Sequence, residues 1–139
     1  MNYLPNLADF KATIRQVYDH LEAGGQFLFD VITPYQINVL YNNYYYNNDD
    51  DEENIFMWTS YPGETPNSVD HDLKFFVYDE NIDGFRILRE IHHEQTYALS
   101  VFQRELELAG FEDISVSADF GNQNINDTTE RWFFRAVKA

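Results

Sequence analysis

The sequence predicts an α/β fold interrupted by an antiparallel β meander, and three observations carry that expectation. An amphipathic helical stripe runs through Leu21-Glu22-Ala23-Gly24-Gly25 into the apolar run Gln26 to Ile32. A second helix–glycine–strand unit, Leu106-Glu107-Leu108-Ala109-Gly110-Phe111 followed by Ile114-Ser115-Val116, lies near the end of the chain. Between the two units stand three strand-like segments separated by turn residues.

Taken in order, Leu7, Phe10, Ile14, Val17, Tyr18 and Leu21 fall on one helical stripe. Asn6 is placed to cap it, with Asp9 three residues on as a short capping box, so a helix is expected from about Ala8 to Ala23. Gly24 and Gly25 supply the left-handed residue that ends it. Gln26 to Ile32 is apolar at nearly every position, the pattern of a strand buried on both faces. A short helix is expected from Thr33-Pro34 to about Tyr41. The polar, acidic and tyrosine-rich stretch 42–54 has no period and reads as a loop, with room for a short edge strand in its tyrosines. Ile55 to Tyr61, Asp70 to Tyr78 and Phe85 to Gln95 form the meander, turning at Pro62-Gly63 and Asp83-Gly84. In the middle strand Leu73, Phe75 and Val77 share one face. Helical spacing returns over Tyr97 to Ala109 with Gly110 at its end, and Phe111 to Ala118 and Glu130 to Val137 close the chain as strands.

Composition narrows the function. The 139 residues suit one domain, and 44% hydrophobic with 17% aromatic residues suit a packed globule. No apolar run approaches the ~20 residues of a bilayer span. The first residues show neither a basic nor an apolar leader segment, so neither a membrane partner nor secretion is expected. A formal net charge of -15 repels nucleic-acid phosphates, and no basic stripe offsets it. The chain has no cysteine, which excludes disulfides and thiolate chemistry and fits a cytoplasmic setting. No Gly-x-Ser-x-Gly elbow supports serine hydrolysis.

The two helix–strand units and the closing Thr129-Glu130-Arg131-Trp132-Phe133-Phe134 together resemble the carboxy-terminal half of a class I S-adenosylmethionine-dependent methyltransferase. The resemblance narrows to a subgroup of small bacterial methyltransferases with a β insertion after strand five. It rests on Asn2-Tyr3-Leu4, Phe29-Asp30-Val31, Pro34-Tyr35, Trp58, Glu90, His92, Tyr97 and Thr129-Glu130-Arg131. It implies a partial Rossmann-like core at 1–41 and 96–139 and a substrate-side antiparallel insertion at 42–95. Gln26 to Ile32 would be strand five, Phe111 to Ala118 strand six, and Glu130 to Val137 strand seven inserted between them. The glycine loop after strand one and the acidic end of strand two, which hold such a cofactor, have no counterpart in these residues. The implied parent transfers a methyl group from S-adenosylmethionine to a small molecule, while this chain alone is expected to be inactive.

The resemblance places Asn2 and Tyr3 at the edge of the cofactor site, against the plainer reading of a frayed terminus. Asp30, Tyr35, Trp58 and His92 become substrate-side candidates, with His92 also the candidate catalytic group. Asp30 could equally cap the Thr33 helix or pair with a base. His92 and His93 are adjacent strand residues on opposite faces and do not share a metal easily, so no metal is expected, and a hydrogen-bonded structural role competes for His92. His71 is expected at the surface. Trp58 with Tyr41, Tyr44, Tyr45 and Tyr46 could wall an acceptor site or pack a sheet or subunit interface. The acidic run Asp49 to Glu53 reads as solvated and lacks the glycine and terminal glutamate of a calcium loop. Arg131 is expected to pair with a carboxylate near the sheet end. A rival reading is a non-catalytic binding or oligomerisation domain. A strand five without strand four would leave an open edge beside Phe27 and Phe29, inviting a homodimer or higher oligomer.

Overall fold

The computed structural model describes the backbone of residues 1–51 and 54–139, and side chains outside 49–53. The expectation for the acidic run 49–53 therefore lies outside the described residues. Two antiparallel sheets organise the chain, a three-stranded one in the order β1-β7-β6 and a four-stranded one in the order β2-β3-β4-β5. Helix α1 (Leu7–His20) leads into β1 (Gln26–Ile32), and a π-helical turn (Gln36–Leu40) leads to the second sheet. That sheet comprises β2 (Tyr45–Asp51), β3 (Asn54–Pro62), β4 (Ser68–Asp79) and β5 (Gly84–Gln95). Helix α2 (Leu99–Ala109), β6 (Phe111–Ser117) and β7 (Arg131–Lys138) then return the chain to the first sheet.

Both helices lie on one face of the first sheet, where the main core forms. Phe10 and Ile14 of α1 meet Phe102 and Leu106 of α2 over Val31, Phe111, Phe134 and Ala136 of the strands. Aromatic packing fixes the geometry, with Phe10 and Phe102 edge-on at 5.1 Å and Phe29 stacked on Phe134 at 4.8 Å. Asn6 caps α1 as expected, its Oδ1 accepting from Asp9 N–H at 2.9 Å.

The helix stops at His20 rather than Ala23. Its terminal carbonyls are taken by a side chain from the far end of the chain: Lys138 Nζ donates to Tyr18 O and Leu21 O, both at 2.7 Å. The glycine pair instead turns the chain into β1, with Gly24 at φ +77°. Gly110 does end α2, at φ +102°.

One expectation needs correction and another extends further than foreseen. Gln26 to Ile32 is not covered on both faces: Phe27, Phe29 and Val31 pack beneath the helices, whereas Leu28 on the opposite face is 67% exposed. Both helices among the described residues lie on the other side of this sheet. The edge strand for which the tyrosines left room is present and runs past them: Tyr45 to Asn48 pair with Thr59 to Phe56, antiparallel, in β2. Backbone pairing with β3 overrides the low strand propensity of its asparagines and acids.

Asn2 ties the two sheets together. It is 5% exposed, its Oδ1 accepts from Ile32 N–H at 2.9 Å, and its Nδ2 donates to Gln95 O at 3.0 Å. Thr96 adds a second tie by donating to Ile32 O at 2.6 Å. Ile32, Ile37 and Val69 form a small apolar core at the same junction. The carboxy end of β1 is thereby fixed against the root of the second sheet.

Candidate functional site

The register of the second sheet builds the site. Ser60, His71 and His92 stand side by side across β3, β4 and β5, and Trp58, Leu73 and Glu90 form the neighbouring rank. Opposed residues of antiparallel strands point to one face, so these side chains and Glu94 share the face turned toward Tyr41 and Tyr3. Tyr3, Tyr41, Phe56, Trp58, His71, Leu73, His92, Glu94 and Arg131 line a cleft of about 260 Å³ there.

His71 is the largest departure from the sequence reading. Expected at the surface, it is 4% exposed and sits at the base of this cleft. Its ring lies edge-on to Tyr41 at 4.8 Å and to Trp58 at 5.2 Å. Trp58 Nε1–H donates to His71 Nδ1 at 3.0 Å, and the Ser60 hydroxyl meets the same nitrogen at 2.8 Å. An indole N–H can only donate, so Nδ1 is the acceptor and the ring proton sits on Nε2. Nε2–H then donates to Glu94 Oε2 at 3.1 Å. The signal was present in the alternation: His71 shares its face with Val69, Leu73 and Phe75, so its position, more than its residue type, set its burial.

A second chain of hydrogen bonds runs along the rim. The Tyr3 hydroxyl meets His92 Nδ1 at 3.1 Å, and His92 Nε2 meets Glu90 Oε2 at 2.7 Å. Tyr3 itself is 63% exposed. Burial, with the Glu94 carboxylate as a second cause, raises the Tyr3 phenol above its ordinary value. Burial likewise raises Tyr41, against a smaller opposing hydrogen bond from Gln36, with Glu94 adding to the rise. Both phenols therefore stay neutral at physiological pH and can orient a ligand by hydrogen bonding.

The structure brings Tyr3, Trp58 and His92 together. Asp30 reaches the cleft only through its ion pair with Arg131, the carboxylate partner expected for that arginine. Asp30 itself lines a larger hollow of about 550 Å³ on the face of the first sheet away from α1 and α2, with Leu28, Ser117, Phe120 and Phe133. The smaller cleft is the candidate site because it combines aromatic rings with two histidines and a carboxylate. Tyr35 belongs elsewhere, in a hollow with Thr33, Pro34, Leu99 and Trp132. Both polar ends of the Asn2 side chain are occupied by the sheet junction, directly behind Tyr3. Of the tyrosine cluster, Tyr41 and Tyr44 pack on Trp58 at 5.6 and 5.0 Å, while Tyr45 and Tyr46 are exposed. His93 points away from the cleft and bonds Asp70 at 2.7 Å. Glu94 was not singled out from the sequence, although it lies two residues beyond His92 on the same face.

The order β1-β7-β6, with β7 inserted antiparallel between its neighbours and helices packed before β1 and β6, is that of the closing strands of a class I methyltransferase sheet. The chain has a class I methyltransferase-like fold, and the comparisons agree. The crystal structure of an S-adenosylmethionine-dependent methyltransferase from Clostridium acetobutylicum ATCC 824 superimposes with a TM-score of 0.86 at 24% identity, over 99% of this chain and 54% of that one. Among curated proteins, one of Geobacillus sp. (strain WCH70) named "Putative methyltransferase" is 32% identical over 139 residues, 99% of this chain and 55% of the relative. YqeM of Bacillus subtilis (strain 168), which carries the same designation, is 31% identical over 100% of this chain and 55% of its own length. The chain thus spans about half the length of the curated relatives it matches. It matches no protein-family model. No helix among the described residues is long and apolar enough to cross a membrane.

Proposed function

We propose that this chain is the carboxy-terminal, substrate-side part of an S-adenosylmethionine-dependent methyltransferase acting on a small molecule. The observation that carries the reading is the aromatic cleft at the carboxy end of β1, where ligands of open α/β sheets bind. In this reading 1–41 and 96–139 form the part of the Rossmann-like core, and 42–95 is the insertion that covers the acceptor. The cofactor, when bound, supplies an electrophilic methyl group on a sulfonium. Of the two residues expected at its edge, Tyr3 has an exposed ring able to face it. The Asn2 side chain does not fit a cofactor contact, because both its polar groups hold the sheet junction. Its role is to set the position of Tyr3.

The remaining residues divide the work by geometry. Trp58 and Tyr41 form apolar walls that exclude water and hold the acceptor. His92 is the proton acceptor. The Tyr3 hydroxyl passes its proton to His92 Nδ1 as it takes one from the acceptor, and Glu90 holds the imidazolium that results. Asp30 keeps Arg131 in place at the rim. Tyr35 lies outside this arrangement.

The experiment is a chimera in which the part of the Geobacillus relative not matched by this chain is fused to it. Calorimetry with S-adenosylhomocysteine should show micromolar binding by the chimera and none by the 139 residues alone. A folded chimera that fails to bind overturns the methyltransferase reading, and micromolar binding by this chain alone overturns its expected inactivity.

A second reading has one observation in its favour. The outer edge of β1 has no strand partner among the described residues, and the exposed Leu28 lies beside it. Such an edge can pair with its copy in a second chain, giving a homodimer. Sedimentation at micromolar concentration tests it: a monomer removes the reading.

A further inference from the structure

The electrostatics of the cleft select the charge of its ligand. Glu94 is the decisive group. Its side chain is 15% exposed, yet its partner is the Nε2–H of His71. The Trp58 indole fixes that histidine in its neutral tautomer, because an Nδ1 that accepts from the indole carries no proton. No lysine or arginine forms an ion pair with Glu94 among the described residues. Among the described residues the one permanent cation lining the cleft, Arg131, is matched by Asp30. A carboxylate withdrawn from water and not matched by a cation is costly unless something positive occupies the space before it.

The walls point the same way. Trp58 and Tyr41 pack on each other at 5.6 Å and on the His71 ring at 5.2 and 4.8 Å, and Tyr3 and Phe56 complete the lining. Aromatic faces carry negative potential and attract cations, most strongly where water is excluded. Both tyrosine phenols are held neutral, so they lend faces and hydroxyls without adding charge. A neutral ligand would leave Glu94 uncompensated, and an anion would meet it directly.

We propose that the cleft binds a small molecule bearing an ammonium group, placed against the Glu94 carboxylate and beside the aromatic wall that Trp58 and Tyr41 form together. This rests on reading the cleft as the acceptor site and adds the class of acceptor: an amine that enters protonated. Such an amine must shed one proton before its nitrogen can act as a nucleophile. The Tyr3–His92–Glu90 chain lies on the same lining to take it.

The test uses the whole 139-residue chain, labelled with nitrogen-15, titrated at pH 7 with benzylamine, benzyl alcohol and benzoate. The Trp58 indole N–H, held by His71, is the reporter. Benzylamine, charged at this pH, should shift that resonance and bind about tenfold or more tighter than benzyl alcohol, with benzoate weaker still. Glu94→Gln should erase the preference for the charged probe. Gln retains an oxygen to accept from His71, so the fold survives, and the comparison of probes on the unaltered chain does not depend on the variant. Equal or tighter binding of benzyl alcohol or benzoate overturns the proposal, as does benzylamine binding that leaves the Trp58 resonance unmoved. The outcome is separable from that of the chimera. Ammonium selectivity without cofactor binding sinks the methyltransferase reading alone, and cofactor binding without ammonium selectivity sinks this inference alone.

Discussion

At the scale of single residues, the His71 ring does the work of three partners. Trp58 and Ser60 need its acceptor nitrogen, and Glu94 needs its donor. Replacing it by Phe fills the space but strands all three. The cost of leaving a buried polar group unpaired is about 1–3 kcal/mol each. His71→Phe should therefore lower the urea midpoint more than loss of the surface pair His93–Asp70 through His93→Phe. Equal midpoints for the two variants would show that the network adds nothing to stability. Asp72, on the opposite face of β4, supplies a pH-dependent counterpart. The hydrogen bond from Arg89, whose Nη2 lies 2.7 Å from Asp72 Oδ2, holds this carboxyl below the ordinary carboxylate range. A lowered folded value makes the stabilisation fully present above the unfolded value of about 4 and removes it as pH falls through the folded one. Arg89→Gln should flatten that part of the acid-unfolding curve. An unchanged curve would count against the pairing.

Secondary elements show where sequence patterning was sufficient and where it failed. The stripe from Leu7 to Leu21 located α1, and alternation located β3, β4 and β5 to within a few residues. Local period is the direct imprint of one buried face, so such elements are legible. Of strand β2 only the tyrosines at its start were legible, because its Asn and Asp residues carry no strand propensity and its partner β3 supplies the order. The burial of His71 was legible in principle from its neighbours on the strand and was lost by judging the residue type. The sheet junction at Asn2 was not legible at all, since its partners lie 30 and 93 residues away. Asn2→Ala leaves Ile32 N–H buried without an acceptor and should cost about 1–3 kcal/mol. Amide exchange at Ile32 should accelerate, and unchanged exchange there would argue that the tie is idle. At the end of α2, a Cβ on Gly110 would meet Tyr18 Cζ at 2.9 Å in a left-handed backbone. Gly110→Ala should destabilise by about 1–2 kcal/mol from the backbone alone, read as a fall in the thermal midpoint. An unchanged midpoint would mean that α2 ends without needing this conformation.

The whole molecule carries a formal charge of -15 on 139 residues, and self-repulsion of that size opposes compaction. Raising ionic strength from about 0.01 to 0.15 M shortens the screening length from about 30 to 8 Å. It should raise the thermal midpoint, and a midpoint that falls with salt would indicate that specific ion pairs outweigh the net field. The same field favours a cationic ligand over an anionic one before contact is made.

Residue 138 reaching back to residues 18 and 21 also has a kinetic meaning. During synthesis the ammonium that closes the last turn of α1 is added about 120 residues after the carbonyls it binds. Until then that turn must fray or borrow water, and the helix can reach its full length only when β7 docks beside β1. Completion of that turn thus waits on closure of a very long loop, which is slow. Lys138→Met should speed amide exchange in the last turn of α1, and unchanged exchange there would show that the lysine does not hold it.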